Sequence, residues 1–124
     1  MNVRIFLAIK AVISFLTGLS FLLLPGFALS LYGVTLNDQG LFFVRLFSAM
    51  AIGIGGICWF IRDKAADARQ PVVLSLFVAD TIGLVITLMA QLQGLTNYLG
   101  WGNVGIWVFL VAGLGYFRFI SKAS

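Results

Sequence analysis

Residues 72–92 read VVLSLFVADTIGLVITLMAQL, and their only charged side chain is Asp80. At 1.5 Å per residue a helix of this length crosses a hydrocarbon core of about 30 Å. Asp80 then lies roughly 13 Å from the start of the span. A charge at that depth costs roughly 2.5–3.5 kcal/mol on insertion scales. The carboxylate is too short to snorkel to the headgroups as a lysine does. It therefore needs a cation, a water-filled pocket or a proton. Whether it serves a structural ion pair or a ligand- or proton-handling site is left open by its position.

Three further apolar runs flank this one: Ile5–Leu24, Leu41–Ile61 and Trp101–Ile120. The chain of 124 residues is 61% hydrophobic and 10% charged, with a mean hydropathy of +1.08. Soluble domains carry about 25% charged residues, so this much apolar surface belongs in lipid. None of the runs alternates as a barrel strand does, and a closed barrel needs at least about 8 strands. In lipid the alternative is a helix, which satisfies its own backbone. The expected fold is an all-α membrane protein, residues 1–124 forming one antiparallel bundle of four transmembrane helices. The first run has a basic start, Arg4, but Lys10 interrupts it and it exceeds the length of a signal-peptide core. It is expected to be retained.

Arg4 precedes the first run, Arg62, Lys64 and Arg69 lie between the second and third, and Arg118 and Lys122 close the fourth. The connections Pro25–Gly40 and Gln93–Gly100 contain no Lys or Arg. The positive-inside rule then predicts cytoplasmic termini and a cytoplasmic middle loop. This topology accounts for the pI of about 9.7 without nucleic-acid binding, and the flanking cations suit anionic lipid headgroups. Tyr98 and Trp101 mark the outer boundary, and Trp59 and Tyr116 the inner one. Trp107 lies deeper and is expected to pack. Pro25-Gly26 ends the first helix. Phe27, Leu31 and Val34 predict a short interfacial helix, and Asn37 or Asp38 caps the next span. The mixed charges of Arg62–Pro71 predict a solvated turn with local ion pairing.

Helical spacing collects the interior polar residues. Lys10, Ser14 and Thr17 share one face, as do Arg45 and Ser48, and Asp80 and Thr87. Turning these faces inward builds a polar interior shared by the first three spans. Counting depth puts Asp80 level with Ser14 and Gly53. Lys10 is one turn away in level and Arg45 about two, so Lys10 is the nearer partner and Arg45 the alternative. For each, snorkelling to headgroups competes with an inward role. Counting all three charges, the interior sums to +1, which suits an anion or lipid headgroup better than an organic cation. Small-residue rows predict close helix contacts within the chain or between copies: Ser14/Gly18, Ala49/Gly53, Ala51/Gly55 and Ser75/Ala79/Gly83.

Most catalytic chemistries lack their residues. There is no His, which removes the commonest metal and haem ligand and the usual general base. The single cysteine, Cys58, cannot form an internal disulfide or a Cys-x-x-Cys pair. No phosphate loop, dinucleotide fingerprint or nucleophile elbow occurs. Gly53-Ile54-Gly55-Gly56 falls mid-helix and reads as packing. Asp80 has no second interior carboxylate for acid–base work. No catalytic, cofactor-binding or metal-ligating residue is assigned, and no enzyme is expected.

Four stretches, Leu31-Tyr32-Gly33, Arg45-Leu46-Phe47, the glycine run ending at Gly56, and Asn97-Tyr98-Leu99-Gly100-Trp101, resemble those of the small four-helix membrane proteins of the DoxX-like group. The resemblance spans most of the chain. It implies a multi-pass bundle in a bacterial inner membrane, with membrane lipids around it and no defined chemistry. Three functions remain open: association as a homo-oligomer or an accessory subunit of a membrane complex, minimal transport through a pathway around Asp80, and lipid binding within the bundle.

Overall fold

The computed structural model describes residues 2–121, all helix and connecting turns. Its elements are α1 (Val3–Leu23), α2 (Pro25–Ser30), α3 (Asp38–Ile61), α4 (Ala66–Leu92) and α5 (Leu99–Gly115), the last running into a π-helical turn at Tyr116–Ile120. Four helical stretches are long and apolar enough to cross a membrane: α1, α3, α4, and Leu99–Ile120. Most of their large apolar side chains face outward, as in Phe43, Phe60, Ile86 and Leu92. Lys122 lies outside the described residues.

Local chemistry sets the helix ends. Asn2 caps α1 by accepting from the Ile5 N–H at 2.9 Å, and Asn37 caps α3 by accepting from the Gly40 N–H at 2.8 Å. Pro25 opens α2 at a position where its missing N–H costs no helical bond. The middle connection is shorter than the sequence suggests. Instead of a turn running to Pro71, α4 begins at Ala66 and contains Pro71. Pro71 is the sixth helical residue and has no N–H to give the Asp67 carbonyl, while Ala66 and Ala68 ahead of it are strong helix formers.

The bundle is assembled from two closely packed pairs, α1 with α3 and α4 with α5. Glycines let the backbones approach. A Cβ on Gly18 would stand 2.6 Å from the Ile52 side chain and 3.0 Å from the Ser48 carbonyl, and one on Gly55 would stand 3.1 Å from the Phe15 ring. In the other pair, a Cβ on Gly83 would stand 2.5 Å from the Trp107 indole. Away from the connections, side chains join the pairs. The Phe6 ring fills the space beside Gly113 and lies 5.5 Å from the rings of both Phe109 and Phe117. Phe6, Leu7, Ala11, Cys58, Val73 and Leu114 belong to one continuous buried cluster.

Candidate functional site

The buried residues of α1 are Val3, Phe6, Leu7, Lys10, Ala11, Ser14 and Gly18. Their spacing is that of one helical face, and Lys10 occupies a core position in it. In α4 the buried row is Arg69, Val73, Leu76 and Asp80, so Asp80 likewise replaces an apolar core residue. The two charges meet: Lys10 Nζ donates to Asp80 Oδ2 at 2.7 Å. Their side chains are only 3% and 7% exposed, so the pair is shielded on all sides. Cys58 is fully buried and lies within electrostatic reach of both charges. The pair ties α1 to α4 and therefore one helix pair to the other.

The other predicted polar residues divide. Ser14 and Ser48 are buried, and Ser48 Oγ donates to its own helix at the Val44 carbonyl, 2.9 Å away. Thr17 and Thr87 are half-buried at the margins. Arg45 is exposed and stands outside the constellation; Asp80 is already paired through Lys10. Of the three charges counted as interior from the sequence, Lys10 and Asp80 are brought together and Arg45 is not, while Arg69 is buried further along the Asp80 row of α4. The cause is rotational: Arg45 is three residues from buried Ser48 but shares the outward face of α3 with exposed Phe42 and Ala49.

A second polar cluster lies at the Tyr98/Trp101 end of the bundle. Asn97 donates from its backbone to the Tyr32 carbonyl at 2.9 Å and from Nδ2 to the Leu31 carbonyl at 3.0 Å. Its Oδ1 accepts from the Leu99 N–H at 3.0 Å. Gln91, 9% exposed, donates to the Asn97 carbonyl at 3.1 Å and accepts from Thr96 Oγ1 at 2.5 Å. Gly33 holds the left-handed φ of 73° that this turn requires. A Cβ on Gly100 would collide with Gln91 and Thr96. The stretches Leu31-Tyr32-Gly33 and Asn97–Trp101 thus form a single clasp between the α2–α3 and α4–α5 connections. Their long sequence separation hid this contact, although Asn97 stood inside a motif already singled out.

At the opposite end, Gln70 Nε2 donates to the Phe117 carbonyl at 3.0 Å. That carbonyl lies within the π turn, whose wider i→i+5 pattern is seen where the Ser121 N–H reaches the Tyr116 carbonyl at 2.9 Å. Arg4 pairs with Asp63 at 2.6 Å on an exposed surface, and the Arg62 guanidinium stacks 3.6 Å from the Trp59 ring centroid. Among the described residues no three His, Cys, Asp or Glu side chains gather as a metal site.

Comparison with known proteins returns no match among family models, curated proteins or solved structures. The likeness to the DoxX-like group rests on the motifs themselves.

Proposed function

We propose that this chain is a small non-enzymatic integral membrane protein of the DoxX-like kind. It works by association in a bacterial inner membrane, as a homo-oligomer or an accessory subunit of a membrane complex. Its four spans run antiparallel, with both termini and the Arg62–Arg69 connection on the cytoplasmic side. The antiparallel arrangement is supported by contact order along α1 and α3: Phe15 meets Gly55, while Gly18 meets Ser48 and Ile52. Sidedness is supported by the distribution of Lys and Arg.

One observation carries the association reading. The small-residue rows divide by face: Gly18 and Gly55 are covered within the chain, whereas Gly53 has nothing within 4 Å and lies beside exposed Ala49. Helix association in lipid depends on such close-approach surfaces. Energy transfer between differently labelled copies at high lipid dilution tests the reading. Transfer that exceeds random proximity and falls in Gly53→Ile supports it. A strictly monomeric protein that copurifies with nothing removes it.

A second reading, transport around Asp80, is favoured by the buried Lys10–Asp80 pair, because intramembrane charge pairs mark ion and substrate pathways. Proteoliposome flux unchanged by Asp80→Asn would sink it.

A further inference from the structure

A groove of about 340 Å³ runs between α3 and α4, lined by Ile57, Pro71, Val72, Ser75 and Leu76. It lies along the seam of the two helix pairs, in the half of the bundle that ends in the Arg62–Ala65 turn. Ser75 Oγ is turned back to its own helix, donating to the Pro71 carbonyl at 3.1 Å. The lining therefore offers no free side-chain donor and behaves as an apolar wall. Both walls end at the same turn, where the Lys64 N–H donates to the Ile61 carbonyl at 3.0 Å.

That turn is cationic. Arg4 and Arg62 share Asp63, at 2.6 Å and 3.7 Å. Lys64 is exposed and has no ion pair among the described residues. An apolar groove whose two walls lead to a turn carrying an exposed lysine matches the two halves of an anionic phospholipid. We propose that this seam is an anionic-phospholipid site. One acyl chain lies along Ile57, Val72, Ser75 and Leu76, and the headgroup phosphate sits against Lys64. Phosphatidylcholine also offers a phosphate, but its choline leaves no net negative charge for the turn to select. The site is independent of the association reading, which concerns the Ala49/Gly53 face.

The test uses the full chain in phosphatidylcholine vesicles containing trace spin-labelled phosphatidylglycerol or spin-labelled phosphatidylcholine. Electron paramagnetic resonance reports the motionally restricted fraction of each. We expect phosphatidylglycerol to be preferred, and Lys64→Gln to reduce that preference by about fivefold, the equivalent of about 1 kcal/mol for one lysine at a headgroup. Ser75→Leu fills the groove from an exposed position and should lower the restricted fraction of phosphatidylglycerol while Lys64 remains. Circular dichroism and gel filtration check that both variants fold. Equal restriction of the two lipids by the wild-type chain overturns the proposal. A preference that persists in both variants also overturns it, because the selecting surface then lies elsewhere. Association measured in pure phosphatidylcholine is unaffected by any of these results, so the two readings fail separately.

Discussion

Lys10 and Asp80 each occupy a core position that an apolar residue would fill more cheaply. Removing one member of a buried pair strands the other charge, at a cost of about 3–5 kcal/mol, whereas replacing both can be near neutral. In bicelles, Asp80→Leu and Lys10→Met should each destabilise strongly, and the double variant should recover most of the loss. The measurement is a double-mutant cycle on unfolding free energy, and additive effects would exclude coupling. Arg45→Gln should leave stability within about 0.5 kcal/mol, as expected for an exposed position away from such features. Arg45 shows how steeply a side chain's direction depends on helix rotation. Its polar neighbour Ser48 turned inward, and helical rotation over only three residues left the guanidinium outside. The sequence marks a residue's depth in the membrane well, but a small error in helix rotation changes its direction completely.

Among the elements, glycines separate into those that a neighbour needs and those that none does. Gly55 faces the Phe15 ring and the Ala11 carbonyl, so Gly55→Val should push α1 from α3 and destabilise by about 1–3 kcal/mol, the usual penalty for overpacking. Gly53→Val, two residues away with open space around it, should leave the monomer's thermal stability almost unchanged. Comparing the two melting profiles in detergent checks the assignment of faces. The clasp offers another element-level test. Asn97→Ala removes the side-chain bonds to the Leu31 carbonyl and the Leu99 N–H. A net worth of about 0.5–1.5 kcal/mol per bond predicts a loss of about 1–3 kcal/mol and faster amide exchange in both connections that the clasp joins. Helix existence and the Asn37 cap were legible from local sequence. The early start of α4 and the π turn after Gly115 were not, because the first depends on tolerating Pro71 and the second accompanies a carbonyl that accepts from a distant glutamine.

For the whole molecule, two helix pairs are held together at three levels. Asn97 clasps Leu31 and Tyr32 at one end, Lys10–Asp80 crosses the middle, and Phe6 packs against Phe109 and Phe117 towards the other. Cys58 is fully buried in the same cluster as Phe6 and Phe117. A membrane-permeant maleimide should therefore label it slowly in the native chain, and Asp80→Leu should accelerate labelling by loosening the seam; mass spectrometry follows the adduct. The exposed Arg4–Asp63 pair adds little to this architecture, since surface pairs contribute about 0–1 kcal/mol.

The amino-acid sequence alone dictates that four apolar helices form. Their length and hydropathy are local properties, and lipid leaves no other way to satisfy the backbone. It also determined that Asp80 required compensation, because an isolated carboxylate at that depth is expensive wherever the neighbouring helices lie. The packing of the helices selects Lys10 rather than Arg45 as the source of that compensation and closes Leu31-Tyr32-Gly33 on Asn97. It also decided which glycines are covered and which face outward. These outcomes depend on helix rotation and on contacts between residues far apart in the chain. A periodic sequence constrains such contacts only weakly, because several rotations bury nearly the same apolar area.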